Sequence, residues 1–361
     1  MTNFADDISG ALCLHRWVLG ALALLALAGC ASVSPQRITT DRMDYGQVIA
    51  DSWKRQTLLN VVRMRYADAP VFLEVSSIIN SYSVGGKASA LATLPSGTNP
   101  DVFSLGAEGT WSNTPTVTYQ PVLGDRFTKS MLQPVPPAAV FQLLQGGWPA
   151  EVVLPTVVGS INGLRNDSLG ASADPGFRQL IEVLSRIQRT GGLGIRIEPR
   201  KDSSAVVIAL RREGPDAELV ENGRRAQELL GLEEGASEFD ITYGLLPRNR
   251  REVAMLSRSM LEIMLQLGFG IELPSTHVAD GRAGAGRGKA GEAKTEPLVR
   301  IHSGTEAPVD AYAAVPYKGY WYWIDDTDIA SKRTFTFLLI LFSLAETGQA
   351  TATPVVTVPS R

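Results

Sequence analysis

Between Val75 and Gly124 the chain carries charge only at Lys87, Asp101 and Glu108. The stretch is rich in Ser, Thr, Gly, Ala and Val, and two parts of it read as strands, Ile78 to Thr93 and Val102 to Tyr119. Gly85-Gly86 and the cluster Pro95-Ser96-Gly97-Thr98-Asn99-Pro100 act as breakers. Long strands so poor in charge have three outlets. They can form an ordinary sheet, which is the plain reading. They can form a hairpin that joins neighbouring copies in a ring. They can enter a membrane as part of a closed barrel. Phe103, Leu105, Ala107, Gly109 and Trp111 fall on one face of the second strand, whereas Ile79, Ser81 and Ser83 interrupt any apolar pattern on the first.

Upstream, Arg16 precedes an apolar run from Trp17 to Leu27, and Ala28 and Gly29 are small residues that a signal peptidase accepts. The run is about 11 residues, short of the roughly 20 that span a bilayer as a helix. Leu27-Ala28-Gly29-Cys30 resembles the lipobox of bacterial lipoproteins. The resemblance covers about 30 residues and departs from a usual signal at the acidic pair Asp6 and Asp7. It implies cleavage before Cys30 and lipidation of Cys30 with acyl chains such as palmitate. Ala31, standing where Asp would favour inner-membrane retention, implies an outer-membrane lipoprotein on the periplasmic face. Two acyl chains suffice for lasting attachment. The polar stretch Ala31 to Thr40 reads as a flexible tether.

Composition narrows the classes further. The 361 residues have a formal net charge of −3, which speaks against nucleic acid as a partner, since phosphate binding needs a concentrated basic face. The two cysteines are Cys13, in the signal, and Cys30. The mature fold therefore has no disulfide and no cysteine-based zinc site, and core burial must supply its stability.

The rest of the chain alternates helix and strand. Gln47 to Tyr66 reads as a helix with Val48, Leu59, Val62 and Tyr66 on one face and a basic surface of Lys54, Arg55, Arg63 and Arg65. Helices follow at Ala138 to Gly146, Glu151 to Leu164, Asp174 to Thr190, Glu218 to Leu230, Arg251 to Leu267 and Ser331 to Thr347. Strands are expected at Leu193 to Ile197, Ala205 to Leu210, Phe239 to Tyr243, Leu298 to His302, Ala311 to Tyr317 and Tyr320 to Ile324, with Lys318-Gly319 as a tight turn. Val355 to Val358 reads as a final edge strand. The expected class is α+β, with two closely packed domains of mixed or antiparallel sheets and amphipathic helices. The expected divisions are a signal peptide at 1–29, a tether at 30–45, an N-terminal domain at 46–166 and a C-terminal domain at 174–361 with a mobile loop at 281–294.

Few residues suggest chemistry. Gly288-Lys289 lies in a Gly-rich segment, but Ala283 and Ala290 occupy positions that a phosphate loop fills with Gly and with Ser or Thr, and no strand precedes it. HExxH and GxSxG are absent. His277 and His302 are the mature histidines, so a dispersed Ser-His-Asp arrangement has little to draw on. Tyr320 to Asp328 (YWYWIDDTD) is the most unusual local sequence. Trp321, Trp323, Asp325 and Asp326 are candidates for binding a glycan or a protein partner, where aromatic anchors are favoured. The carboxylates could instead hold Ca²⁺, although their spacing departs from the EF-hand loop. The plain reading packs the aromatics in the core and uses Asp326 or Asp328 to cap the next helix. Phe335 to Ala345, apolar nearly all round, should be buried.

The sequence thus points to a membrane-anchored periplasmic lipoprotein of the cell envelope, more in the manner of a non-enzymatic scaffold or assembly component than of an enzyme. No cofactor or metal is implied. The expected partners are the membrane, through lipid, and a protein or further copies of the chain. An envelope hydrolase acting on peptidoglycan or lipid, and a binding module using the Trp321/Trp323 strand, are the alternatives.

Overall fold

The computed structural model describes residues 35–93, 102–167, 172–200, 203–210, 217–284 and 296–346. The signal peptide, Cys30, the Pro95–Pro100 cluster, Gly288-Lys289, residues 285–294 of the expected mobile loop and Val355–Val358 lie outside the described residues. The chain divides into a unit Met1–Arg55 and a unit Gln56–Arg361. Helix α1 spans Pro35–Arg65, so helix occupies most of the segment expected to be a tether. Pro35 suits a first helical position, because its φ is already helical and it has no N–H left without a partner there. The buried positions near the end of α1 are Leu58, Val61, Val62 and Tyr66 rather than Val48, which is exposed.

The unit from Gln56 is α+β. Its largest sheet has six strands in the order β4-β3-β8-β7-β6-β5. These are β3 (Val158–Ile161), β4 (Leu164–Arg165), β5 (Leu193–Arg200), β6 (Ser203–Leu210), β7 (Glu238–Tyr243) and β8 (Glu252–Ser257). All neighbours are antiparallel except β7 and β8. The sheet draws strands from both sides of residues 166–174, which separate the two expected domains. After the single-turn α2 (Gly124–Phe127), helices α3 (Pro137–Gln145), α4 (Ala150–Val157), α5 (Pro175–Arg189) and α6 (Ala217–Leu230) accompany it. In α5, Phe177, Leu180, Ile181, Leu184 and Ile187 are buried, the stripe that helical spacing predicts.

Two expected helices are in fact helix and strand joined. Glu151 to Leu164 becomes α4, β3 and β4, because Asn162-Gly163 turns the chain back with positive φ of 44° and 84°. Asn-Gly suits that turn since both central residues need positive φ. Asn162 is fixed there, donating to the carbonyl of Leu230 at 2.8 Å and accepting from the amide of Ala254 at 2.7 Å. Arg251 to Leu267 becomes β8 followed by α7 (Met260–Gly268). Val253, Ala254 and Met255 are buried on both faces of an interior strand, which erases period-two alternation. Ser259 then opens α7 with a capping box closed by Glu262.

A three-stranded sheet in the order β10-β11-β9 joins β9 (His302–Gly304), β10 (Ala311–Tyr317) and β11 (Tyr320–Asp325). Strand β9 begins at His302, four residues after the expected start. The turn at Lys318-Gly319 has positive φ at both residues, as expected. Helix α9 (Ile329–Glu346) buries Phe335, Phe337, Leu338, Leu341 and Phe342. It packs against α4 and β11, and Phe337 meets Trp148 at a ring distance of 5.1 Å. Among the described residues no helix is long and apolar enough to cross a membrane.

The junctions of this unit converge on Arg258. Helix α4 runs into β3 with no loop between them, which leaves carbonyls at the helix end without partners inside the helix. The Arg258 guanidinium, 4% exposed, donates to the carbonyls of Pro155 at 2.8 Å and Thr156 at 3.2 Å, and also to that of Asp167. Asn166 adds bonds to the carbonyls of Pro155 and Val158. The Arg258 amide donates to Val157 and its carbonyl accepts from Val135. Burial lowers the Arg258 pKa and raises that of Asp167, whose carboxylate stands 3.7 Å from the guanidinium and partly offsets both shifts. Arg258→Met should destabilise the unit by about 3–5 kcal/mol, as stranded buried partners do. Urea denaturation measures it. A change below about 0.5 kcal/mol, the range of surface substitutions, would show that Arg258 does not hold the junction.

Candidate functional site

Two places in the structure gather unusual features. The first lies where the end of α1 meets the three-stranded sheet and α8 (Ser275–Ala279). Tyr66, His277 and Tyr322 are 5%, 3% and 0% exposed. The Tyr66 hydroxyl lies 2.7 Å from His277 Nδ1 and 2.6 Å from the Tyr322 hydroxyl. One order of donors satisfies all three groups: Tyr322 donates to Tyr66, which donates to His277 Nδ1. In the reverse order the Tyr322 proton has no acceptor. Burial, then the bond to Tyr66, pushes the Tyr322 pKa up and keeps it a donor.

Around this core, Tyr317 donates to Asp68, and Lys318 Nζ pairs with the same carboxylate at 2.7 Å. Lys318 also lies 5.0 Å from the Tyr66 ring centroid. These bonds hold the Asp68 carboxyl below the usual carboxylate range, with Lys318 the larger cause. Tyr320 stands edge-on to His277 at 4.9 Å and meets Thr276 Oγ1 at 3.1 Å. The Tyr322–Tyr66–His277 relay is buried, and the arrangement clasps the end of α1, α8 and β11 together. The sequence singled out His277 but not Tyr66, Tyr317, Lys318 or Asp68. The only local signal was alternation: Tyr320 and Tyr322 share one face of β11.

His302 is half-buried and pairs through Nδ1 with Glu272 at 2.9 Å, not with a hydroxyl, while its ring leans on Trp323 at 5.7 Å. The hydrolase alternative thus finds a carboxylate beside His302 but no serine bonded to it. Trp321 and Trp323 are both half-exposed, and Trp323 lies over Gly304. The carboxylates diverge. Asp325 accepts from the amide and hydroxyl of Thr327, and Asp326 pairs with Lys332 at 2.6 Å. Asp328 caps α9 by accepting from the amide and hydroxyl of Ser331 at 3.0 and 2.7 Å. Among the described residues no group of three or more His, Cys, Asp or Glu is placed to hold a metal ion. On α1, Arg65 lies over the Phe269 ring and donates to the Gly284 carbonyl, so this member of the basic surface is engaged within the fold.

The second place is the weakly charged stretch itself. It forms one hairpin, β1 (Leu73–Thr93) with β2 (Val102–Pro121), a two-stranded sheet that pairs with no other strand among the described residues. At about 3.3 Å per residue each strand is roughly 65 Å long, two to four times the common strand length. The register shifts between Val75 and Ser77. Beyond that bulge, one face holds the pairs Ile78/Val117, Asn80/Pro115, Tyr82/Asn113, Val84/Trp111, Gly86/Gly109, Ala88/Ala107, Ala90/Leu105 and Ala92/Phe103. The other holds Ser77/Thr118, Ile79/Thr116, Ser81/Thr114, Ser83/Ser112, Gly85/Thr110, Lys87/Glu108, Ser89/Gly106 and Leu91/Ser104. Ile79, Ser81 and Ser83 therefore do not interrupt the apolar face: they belong to the opposite, hydroxyl-rich one. At the base, Arg126 pairs with Glu74, and Val117 and Tyr119 are exposed.

No protein-family model, curated protein or solved structure matches this chain.

Two outcomes test the clasp. Tyr66→Phe leaves two buried polar atoms unpaired, and should cost about 2 kcal/mol or more in denaturant unfolding. The second is a pH effect. Burial, then the bond to Asp68, raises the Tyr317 pKa to about 12. Its contribution to stability is complete below about pH 10, the ordinary phenol range, and is lost as pH rises through about 12. Ultraviolet titration against Tyr317→Phe should show one phenol fewer titrating near pH 12.

Proposed function

We propose that this chain is a lipid-anchored envelope protein that acts non-enzymatically, as the scaffold of a multi-copy assembly on the periplasmic face of the outer membrane. One observation carries the reading. Among the described residues the sheet of about 20 residues per strand has only these two strands, so beyond Leu73, which bonds Gln56, neither outer edge is paired with a third strand. An isolated hairpin is marginal in water, and long unprotected edges are templates for another chain. Charge, a common edge defence, is nearly absent from the strands, which keep Lys87, Pro115 and the bulge at Ser76. The β1 and β2 edges differ, so pairing one copy's β1 with the next copy's β2 is head-to-tail and closes into a ring when the rotation allows.

The lipobox-like Leu27-Ala28-Gly29-Cys30 supplies the anchor in this reading, and Ala31 the outer-membrane destination. The sealing of His277 in the tyrosine relay supports a non-catalytic role, while the pairing of His302 with Glu272 keeps the hydrolase alternative in view. Trp321 and Trp323, half-exposed on β11, offer a second surface for a protein partner or glycan.

Wild-type protein should fractionate with membranes, incorporate palmitate and leave mild detergent as a multi-copy particle. Cys30→Ser should lose the label and either leave the membrane fraction or persist as precursor. A strictly monomeric wild-type particle with nothing bound overturns the scaffold reading. Unchanged palmitate labelling of Cys30→Ser overturns the anchor.

A further inference from the structure

We propose that the outer part of the hairpin, Tyr82–Ala92 with Phe103–Asn113, crosses a lipid bilayer as two strands of a β-barrel closed by further copies of this chain. This rests on the edge pairing of copies proposed above and adds to it a lipid-filled outside and a watery inside.

Three observations converge on it. The first is the opposition of the two faces. From Val84/Trp111 to Ala92/Phe103 one face is composed entirely of Val, Trp, Gly, Ala, Leu and Phe. Over the same height the other carries Ser83/Ser112, Gly85/Thr110, Lys87/Glu108, Ser89/Gly106 and Leu91/Ser104. A hairpin wet on both sides needs no such division. A barrel wall in a membrane requires it, with apolar residues toward lipid and polar ones toward the lumen. The second is length. Tyr82–Ala92 is 11 residues, the number that crosses a bilayer as a tilted strand. At about 3.3 Å per residue and a tilt near 45° it rises about 25 Å, the height of the apolar band of such barrels. The third is where aromatics and charges fall. Tyr82 and Trp111 lie toward one end of the apolar face and Phe103 at the other, as interfacial girdles do. The segment's two charges, Lys87 and Glu108, stand opposite each other in register on the polar face and cancel.

A bilayer accepts only closed hydrogen-bonded walls, and one hairpin cannot close. A barrel of about eight strands, or four copies, is filled by side chains, so the watery inside needs a wider wall; a channel of 16–18 strands takes eight or nine copies. The second copy is thus the occupant of each edge, and lipid acyl chains the occupant of the apolar face.

The test uses the full-length lipidated protein in vesicles of phosphatidylethanolamine and phosphatidylglycerol. With Cys13 in the leader and Cys30 acylated, one introduced cysteine is the only free thiol. An environment-sensitive fluorophore is placed singly at Val84, Ala88 and Ala90, and at Ser83, Gly85 and Ser89. Lipid-borne nitroxide should quench the first set and aqueous iodide the second, alternating residue by residue. Planar-bilayer recordings should show discrete conductance steps. Ala88→Arg, on the lipid face, should lower the inserted fraction about 30-fold or more. Ser89→Arg, on the lumen face, should insert normally and shift conductance toward anions. Multi-copy particles with no lipid quenching at any position overturn the barrel and leave the scaffold standing. Monomers overturn both. Equal lipid quenching of the two sets, or equal loss of insertion by the two arginine variants, overturns the proposed facing.

Discussion

A single buried guanidinium lets helix α4 pass directly into strand β3. The two meet at one peptide bond, and only Arg258 and Ser259 separate β8 from α7. The end of helix α4 leaves carbonyls with no partner in the helix, and a buried carbonyl without a bond is costly. Arg258 has five donors in a rigid fork, enough to serve several acceptors in fixed directions. Its backbone meanwhile ties Val157 to Val135. The interior strands β3 and β8 are therefore registered against each other by a polar contact at the sheet's end. Helix α9 packs against the same helix α4 with apolar residues.

Much of the body is legible because its periodicities are simple. The stripe Phe177, Leu180, Ile181, Leu184 and Ile187 needs only helical spacing to be recognised, and Lys318-Gly319 needs only turn chemistry. Legibility fails where elements abut. Val253, Ala254 and Met255 form an interior strand, yet a run that is apolar on both faces has no alternation to reveal it. Ser259 and Glu262 mark the start of α7, but a cap is informative only once the preceding residues are known not to be helical. Asn162-Gly163 is a strong turn signal hidden inside a short apolar segment. The tyrosine relay was illegible for another reason. Tyr66, His277 and Tyr322 are separated by more than two hundred residues from first to last, and nothing local ties one to another.

The two gathered places represent different uses of polarity. Around Tyr66 each polar atom is spent inside the fold: hydroxyl on hydroxyl, lysine on carboxylate, and ring edges on ring faces. Along the hairpin the pattern is different. Polar residues are spread along one face in a regular ladder while the backbone edges remain open. Closed polar networks rigidify a core. Open ladders present the same chemistry at every level and suit contact with a repeating neighbour.

The bulge at Ser76 governs how the hairpin's sequence must be read. Counting by twos from Val75 assigns Ile79, Ser81 and Ser83 to the face of Val75, while the observed register assigns that face to Ile78, Tyr82 and Val84. One extra residue changes the parity of everything after it. The hairpin is therefore forgiving of substitution and unforgiving of insertion. Exchanges of Ser for Thr or Ala for Val preserve both faces, so its letters can drift while its spacing cannot. A single residue gained or lost within the paired strand, by contrast, inverts the chemistry of all that follows.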